Sequence, residues 1–369
     1  MLSIDRRSLQ HFDWLLLLLA LAILSIGLAT LFSATQAGVE AGLPPEFRRQ
    51  LLALGVAAVA FTVVLFIDYR RFERWAIPIF VVTLLLLAST LVLAPLTRGN
   101  RSWLIYGPFS LQPAELAKIG LLLALARHFH QHPPDQVRQL RHLLPFAFIV
   151  AVPVTLIVLQ RDLGVAILTL LIAATYLPFT RIPLRSWSFV AAAGVAALAG
   201  LWRFAFKDYQ RLRILDFLDP SRDPLASGYQ AIQSKIAIGS GGILGKGYLE
   251  GSQTQLEFLP TQHSDFIFSV LAEEWGFLGC LVLLGLYLSM LIWGLVIANN
   301  SKDGFSAMLA VGVVGMLFWP AAINVAMVLG LAPVVGVPFP LVSYGGSQVL
   351  AHMMAIGLLL NVSMRRYMF

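Results

Sequence analysis

The stretch 256–279, LEFLPTQHSDFIFSVLAEEWGFLG, places an acid, Asp265, where an apolar helix is predicted to begin. Pro260 interrupts any regular structure before it, and either Ser264 or Asp265 could cap the helix that follows. A carboxylate on a membrane helix is costly, which favours a functional role such as taking a proton from a substrate hydroxyl. A helix cap at the water boundary would cost much less, so this stretch alone leaves both interpretations open.

A second polar group lies in TRGNRSWLIYGPFSLQPAELAK, residues 97–118. A helix is predicted to start at Pro113, which makes Glu115 and Lys118 i,i+3 neighbours that can form an ion pair. The pair either orders the start of the helix or faces a polar cavity. In a cavity, Lys118 could meet an anionic substrate and Glu115 could tune it.

Four arginines, Arg48, Arg49, Arg98 and Arg101, add positive charge near the same predicted helix ends. Together with Asp265 they suit a lipid-linked anionic substrate, because a cationic cluster can hold a diphosphate and stabilise it as a leaving group. A carboxylate can meanwhile take a proton from an attacking hydroxyl. One base and one activated phosphate are sufficient for inverting glycosyl transfer without a covalent intermediate, although the same groups could gate a transporter.

Two further candidates for substrate contact or cavity lining lie in segments rich in glycine and proline. Lys246 lies in the glycine-rich run of 239–247, which fails the ATP-binding P-loop pattern at its first glycine and after its lysine. Ser343 belongs to PVVGVPFPLVSYGGS, 333–347, which resembles a re-entrant segment. Irregular backbone at membrane depth is tolerated only where it is buried in protein or lines water, so we expect this segment to wall the cavity.

The elements that must position these groups are membrane-spanning helices. Of 369 residues, 58% are hydrophobic and 12% are charged, and the mean hydropathy is +0.80, whereas soluble domains carry roughly 25% charged residues. This composition predicts an all-α integral membrane protein in which residues 1–369 form a single polytopic domain. Runs long enough to cross ~30 Å of hydrocarbon occur at about ten places. They lie near 14–34, 51–67, 75–95, 112–129, 143–159, 164–180, 187–204, 266–298, 305–331 and 347–363.

The loops indicate how these helices are oriented. Arginine and lysine concentrate on the side of the N-terminus, which predicts that both termini are cytoplasmic. The long loop of about 205–264, between helices seven and eight, is then extracytoplasmic, and the run at 266–298 must tilt or project from the bilayer. The net charge of +7 reflects this topology and anionic lipid headgroups, and no nucleic-acid motif is present. The single cysteine, Cys280, allows no intrachain disulfide.

Six sequence blocks resemble those of the SEDS family (shape, elongation, division and sporulation), in the same order over nearly the whole chain. They are RGNRSWL at 98–104, QPAELAK at 112–118, QRDLG at 160–164, GYQAIQSKIAIGSGG at 228–242, LPTQHSDFIFSVLAEEWGFLG at 259–279 and PFPLVSYGGS at 338–347. The short N-terminus and the tail RRYMF resemble the elongation type of this family more than the division type. Departures from the family pattern at Ala114, Ser264 and Gln348 remove no charge.

This resemblance implies a ten-helix peptidoglycan glycosyltransferase of the bacterial cytoplasmic (inner) membrane, which polymerises lipid II for elongation and rod shape. It implies a class B penicillin-binding protein, a transpeptidase, as partner, within an elongation complex of membrane proteins. Asp265 matches the family's essential acid, the general base for the acceptor sugar hydroxyl, and Glu115 and Lys118 match its polar pair in the central cavity. A divalent cation at the diphosphate is compatible with these carboxylates, although no dedicated ligand set is visible.

Three alternatives accompany this interpretation. A lipid II flippase would also need a polar cavity, but transporters expose polar groups to both sides in turn and often contain internal repeats. Here the ionisable groups cluster towards one end of the helices, and no repeat is visible. A scaffold that only recruits the transpeptidase predicts that Asp265→Ala is harmless. A division-type member of the same family is the third alternative.

Overall fold

The computed structural model describes residues 12–37, 42–97, 99–107, 109–190 and 227–365, together with positions 192, 194 and 196. These residues form a bundle of helices, as the apolar runs predict. The helices are α1 (Trp14–Gln36), α2 (Pro45–Phe66), α3 (Tyr69–Leu93), α4 (Pro113–Gln131), α5 (Leu144–Leu159), α6 (Leu163–Ala174), α7 (Ser227–Gly241), α8 (Ser252–Gln255), α9 (Ile267–Asn299), α10 (Gly304–Val328) and α11 (Gly346–Arg365). Two short strands, β1 (Leu104–Tyr106) and β2 (Phe109–Leu111), pair antiparallel before α4, where no strand was predicted.

Seven of the described helices are long and apolar enough to cross a membrane, which shows a multi-pass membrane protein. They are α1, α2, α3, α5 with its preceding 3-10 turn, α9, α10 and α11. Helix α6 has 12 residues and ends before the predicted run of 164–180 does. Residues 184–190 are helical, but most of the predicted run of 187–204 lies outside the described residues. The total of ten spans therefore stays a prediction.

Helix α4 lies at the centre of the bundle. It packs against α3, α5, α10 and α11, and from Ala117 to Ala126 every residue is buried. A helix that is apolar on all sides is expected to be enclosed by other helices. The enclosure has a consequence for chemistry, because Glu115 and Lys118 belong to this helix and are carried into the interior with it.

Helix α9 is broken at Gly276, where φ is 65° and ψ is −165°. This region of backbone conformation is open almost only to glycine. The part that follows, 277–299, is about 34 Å long at 1.5 Å per residue, close to the thickness of the hydrocarbon layer. Gly276 thus divides the predicted run of 266–298, and the part after the break is by itself about long enough to cross the hydrocarbon layer.

The glycine-rich loop of 241–247 packs against this break and replaces the hydrogen bonds that the helix loses there. Two amides of the loop donate to helix carbonyls, and two helix amides donate to loop carbonyls, which satisfies groups that would otherwise be unpaired. The bonds run from Lys246 N to Glu273 O (3.0 Å), Gly247 N to Glu274 O (3.1 Å), Phe277 N to Gly242 O (2.9 Å) and Leu278 N to Ile243 O (3.1 Å). The segment 267–275 is consequently joined to this loop as well as to the rest of α9.

At the end of the bundle away from Gly276, buried polar contacts join the helix ends to one another. The carboxylate of Asp13 accepts hydrogen bonds from Trp293 Nε1 (2.9 Å) and Ser363 Oγ (2.8 Å), which joins the start of α1 to the ends of α9 and α11. The Tyr69 hydroxyl donates to Asp303 Oδ2 (2.6 Å), which joins α3 to the start of α10. These contacts fix the helix ends that lie farthest from Gly276.

Candidate active site

Asp265 lies in a turn immediately before α9. The helix begins at Ile267, later than predicted, and its N-cap residue is Phe266, which makes no side-chain capping hydrogen bond. The N-cap position thus belongs to Phe266 rather than to Ser264 or Asp265. The Ser264 hydroxyl instead donates to the Thr261 carbonyl (3.3 Å) within the same turn.

Three consecutive carbonyl oxygens of this turn, 263–265, accept hydrogen bonds from distant parts of the chain. The donors belong to α10 and to the segment that follows α10. They are Tyr344 N to His263 O (2.9 Å), Ser343 Oγ to Ser264 O (2.6 Å) and Asn324 Nδ2 to Asp265 O (2.8 Å). The backbone that carries the Asp265 carboxylate is thereby held at three successive points.

The middle of the irregular segment of 333–345, from Val337 to Ser343, is largely enclosed by protein, as its predicted place at membrane depth requires, whereas Gly336 is exposed. Val337, Phe339 and Ser343 are all nearly inaccessible to solvent. Its backbone groups find partners inside the bundle: the Phe339 amide donates to Ser343 Oγ (2.8 Å), and the Gly345 amide donates to Gln50 Oε1 (3.1 Å) on α2. Ser343 therefore braces both this segment and the Asp265 turn.

Two glycines bring this segment close to Asp265 on one side and to α6 on the other. Gly336 has φ of 74°, and a Cβ at this position would lie 3.4 Å from Asp265 Oδ2. A Cβ at Gly164 would lie only 2.9 Å from Val335 Cγ1. The Asp265 carboxylate thus faces bare backbone at Gly336, and the start of α6 lies behind that backbone.

Asp162 marks the start of α6 and links it to α4. Its carboxylate caps the helix by accepting from the Val165 amide (3.3 Å) and also accepts from Gln112 Nε2 (3.3 Å). Burial raises the pKa of the Asp162 carboxyl above its ordinary value. Gln112 is the residue before α4, so this contact lies about one helical turn from Glu115.

Glu115 and Lys118 form the predicted ion pair, with 2.8 Å between Lys118 Nζ and Glu115 Oε1. Both residues are buried, at 5% and 2% exposure. Glu115 Oε2 has no hydrogen-bond partner in the part of the chain that the structure describes. A buried pair with an unsatisfied oxygen is costly for stability, which favours a role beyond packing.

Of the predicted cations on α2, Arg48 is exposed, and its neighbour Arg49 lines a cavity. This cavity of about 280 Å³ lies between α2, β2 and α11, and its wall includes Tyr344 and Ser347. The Ser347 hydroxyl accepts from the Gln112 amide (2.9 Å). The cavity therefore borders the end of the 333–345 segment through Tyr344, and Ser347 in its wall is bonded to the start of α4.

The remaining predicted cations are placed differently. Arg101 is exposed, and its guanidinium donates to the Leu91 carbonyl (3.3 Å) at the end of α3. Arg98 lies outside the described residues. Lys246 is bound to Glu273, with 2.7 Å between Nζ and Oε1, so its charge is engaged at the break in α9.

Glu273 and Asn324 are two polar residues to which the sequence assigns no role. Glu273 is fully buried and, besides Lys246, accepts from the Gln253 amide (2.9 Å) and from the amide and hydroxyl of Thr254 (3.1 and 2.9 Å). Asn324 is fully buried on α10. A lone amide inside an apolar span was the signal for Asn324, because polar groups in such spans need partners.

Metal binding finds little support among the described residues. No group of three or more His, Cys, Asp or Glu side chains among them lies close enough together to hold a metal ion. Three acids that lie near one another at this end, Asp162, Glu115 and Asp265, belong to separate helices or turns.

Comparisons with known proteins agree with one another. A family model described as a cell cycle protein, which groups FtsW, RodA and SpoVE, matches residues 12–368. The chain is 38% identical to the peptidoglycan glycosyltransferase MrdB of Escherichia coli (strain K12), over 97% of this chain and 95% of that protein. It is 33% identical to the peptidoglycan glycosyltransferase RodA of Treponema pallidum (98% and 99%) and 33% identical to a probable peptidoglycan glycosyltransferase FtsW of Geobacter sp. (strain M18) (97% and 98%).

Solved structures share the same fold. One chain comes from work described as "Structural coordination of polymerization and crosslinking by a peptidoglycan synthase complex". It matches with a TM-score of 0.83 at 34% identity, over 97% of this chain and 99% of that one. The rod shape determining protein RodA of Thermus thermophilus matches with a TM-score of 0.72 at 32% identity, over 97% and 98%.

Proposed function

Because the chain belongs to the cell cycle protein family that groups FtsW, RodA and SpoVE, we propose that it is a peptidoglycan glycosyltransferase that polymerises lipid II during cell elongation. Relatives that are named peptidoglycan glycosyltransferases align over almost its whole length. The elongation type is favoured over the division type by the higher identity to MrdB, 38% against 33% for the FtsW relative. The likeness to a rod shape determining protein supports the same choice.

The observation that carries the proposed mechanism is the position of the Asp265 carboxylate. It lies in a turn that is held at three carbonyls, and its Oδ2 lies beside Gly336, which carries no side chain and is exposed. A fixed carboxylate in such a place suits a general base.

The reaction follows from that base. The Asp265 carboxylate takes the proton of an acceptor sugar hydroxyl while the hydroxyl oxygen bonds to the anomeric carbon of the donor. The bond from that carbon to the diphosphate oxygen breaks, and the lipid diphosphate leaves with the electron pair. One glycosidic bond forms with inversion of configuration, and the proton stays on Asp265 until solvent removes it.

Cations near the same end are proposed to receive the diphosphate. Lys118 is the buried candidate, with Glu115 holding its ammonium in place. Arg48 and Arg101 are exposed and are assigned to lipid headgroup or diphosphate contact, as is Arg98 by its place in the sequence.

Ser264 and Ser343 are assigned to the support of the Asp265 turn. Lys246, paired with Glu273, is assigned to the support of α9, and a divalent cation is given no ligand by this scheme.

The proposed setting is the bacterial cytoplasmic membrane, with ten spans in one domain and both termini in the cytoplasm. Helices α2, α4, α6, α9 and α11 all begin at the Asp265 end, which supports an alternating arrangement with this end outside. Basic residues such as Arg70, Arg71 and Arg127 lie at the other end. By analogy with the synthase complex, the proposed partner is a class B penicillin-binding protein, a transpeptidase, together with other membrane proteins of the elongation complex.

Lipid II polymerisation by the purified protein with its cognate transpeptidase tests this proposal. Asp265→Asn is expected to lower the rate by roughly 10²-fold or more, because it removes the base and keeps the shape. Asp303→Asn, at the opposite end, is the matched control and is expected to keep the rate per folded molecule. Full polymerisation by Asp265→Asn would remove the base assignment. Passage of lipid II across vesicles without glycan product would favour the flippase, and unchanged cell growth with Asp265→Ala would favour the scaffold.

A further inference from the structure

Asn324 is a buried amide whose two N–H groups both reach the surroundings of Asp265. It lies one helical turn before the end of α10 and is fully buried. Its Nδ2 donates to the Asp265 carbonyl (2.8 Å) and to the Val337 carbonyl (2.7 Å). A side-chain amide has two N–H donors, so both are used.

These two acceptors flank the proposed base. Val337 follows Gly336, the residue that faces Asp265 Oδ2, and Asp265 O belongs to the acid itself. One planar group therefore ties the backbone of the acid to the backbone that the acid faces. The Asp265 and Val337 carbonyls are consequently held at the separation that a single amide spans.

An amide in this place is difficult to explain by packing alone. A polar group in an apolar span is costly unless its hydrogen bonds are made. Asn324 Oδ1 has no hydrogen-bond partner among the residues that the structure describes, so the site keeps an unsatisfied acceptor in order to place two donors. An apolar residue of similar volume would avoid this cost but could not join the two backbones.

We infer that Asn324 is a positioning residue: it holds the Asp265 carboxylate at a fixed place relative to Gly336 and so controls the chemical step. This inference rests on Asp265 being the general base. Asn324 touches no reacting atom and acts through the backbone of Asp265. A misplacement of about 1 Å can reduce a rate by roughly 10²-fold, which is the size of effect expected from loss of the amide.

The other end of the bundle offers a matched control. Asn361 on α11 is also fully buried, and its Nδ2 donates to the carbonyls of Val64 (2.7 Å) and Leu65 (3.1 Å) at the end of α2. Asn361 thus also binds backbone carbonyls, Ile67 O among them, far from Asp265, and its Oδ1 in addition accepts from the Arg365 guanidinium. A purely structural effect of losing a clamp is expected to be similar for both residues.

The experiment compares Asn324→Leu, Asn361→Leu and wild type in lipid II polymerisation at equal concentrations of folded protein. Asn324→Leu is expected to lower kcat by roughly 10²-fold and to change KM by less than about threefold. Asn361→Leu is expected to lower the thermal midpoint but to keep kcat within about threefold. Asn324→Ser, which keeps one donor, serves where Asn324→Leu does not fold, and it is expected to lose roughly tenfold in kcat.

Several results would overturn the inference. They are wild-type kcat in a folded Asn324 variant, a loss of kcat/KM that comes from a higher KM at unchanged kcat, and an equal loss of kcat in Asn361→Leu. Asp265→Asn, measured in parallel, separates this failure from that of the proposed function. If Asp265→Asn is inactive while the folded Asn324 variants keep wild-type kcat, the base stands and the positioning role fails. If Asp265→Asn polymerises normally, the base assignment fails, and with it the route by which Asn324 acts.

Discussion

Glu273 has the most complete surroundings of any acid near the break in α9. It is fully buried, and its two oxygens accept hydrogen bonds from Lys246, Gln253 and Thr254. Asp265, eight residues earlier, has its backbone carbonyl held by Asn324. Two carboxylates on one stretch of chain thus have different tasks: one fixes the loop that covers the break, and the other has its backbone fixed.

Glu273→Gln is expected to reduce the free energy of unfolding by about 2 kcal/mol, because it loses the charge that Lys246 and the Thr254 groups recognise. Thermal unfolding in detergent measures this change. Glu250→Gln, an exposed acid in the same loop, is the control and is expected to leave the midpoint unchanged. An equal effect of both substitutions would contradict the assigned role of Glu273.

The sequence could predict those contacts between residues that depend only on their spacing along one helix. Glu115 and Lys118 are three positions apart on a helix, so their ion pair follows from helix geometry and is confirmed at 2.8 Å. The Lys246–Glu273 pair joins residues 27 positions apart, and the Asn324–Asp265 bond joins residues 59 positions apart. No period of a helix relates such residues, and packing alone brings them together.

At the scale of elements, the break in α9 is the feature that apolar periodicity could not reveal. The immediate neighbours of Gly276, Trp275 and Phe277, are apolar, and one glycine in such a run is compatible with a continuous helix. The break is specified instead by the loop of 241–247, whose glycines let its backbone approach the helix. A Cβ at Gly245 would lie 2.1 Å from the Glu274 carbonyl oxygen. The glycine-rich run thus supports a helix. It resembles a phosphate-binding loop in its glycine content but not in the spacing of its residues.

Gly276→Ala is expected to destabilise the protein by about 3 kcal/mol, because alanine strains the backbone at φ of 65° and its Cβ would lie 2.3 Å from the Gly245 amide nitrogen. Gly285→Ala, on the same helix, is the matched control: its Cβ meets nothing within 4 Å. That control is expected to gain up to about 1 kcal/mol from helix propensity. Thermal midpoints in detergent measure both, and a stable Gly276→Ala protein would show that α9 can run straight.

At the scale of the whole molecule, the two ends of the bundle have different roles. The Asp265 end holds the proposed base, the Glu115–Lys118 pair and the cavity beside Arg49. The far end joins helix termini through Asp13 and other buried polar contacts. The apolar runs predicted nearly all of the described helices, because burial in hydrocarbon is a property of composition and length. Which helix lies at the centre depends on contacts between helices, and composition does not contain them.

Asp13→Ala is expected to lower the free energy of unfolding by about 2 kcal/mol, because it removes the cap of α1 and the acceptor for Trp293 and Ser363. Polymerisation per folded molecule is expected to stay unchanged, since this end is far from Asp265. Asp135→Ala, an exposed acid of a short 3-10 turn, is the control without a stability effect. A loss of kcat in folded Asp13→Ala would show that the two ends are coupled.

The three hydrogen bonds onto carbonyls 263–265 are formed when the chain folds, before any substrate arrives. Fixing the backbone of one residue costs roughly 1–2 kcal/mol of conformational entropy, and here that loss belongs to folding. Substrate association then need not immobilise the chain around the acid, which leaves more of the contact free energy for binding. The same rigidity acts as a filter on acceptors: a sugar with a bulkier substituent must fit the existing gap, because the backbone on either side of it cannot yield.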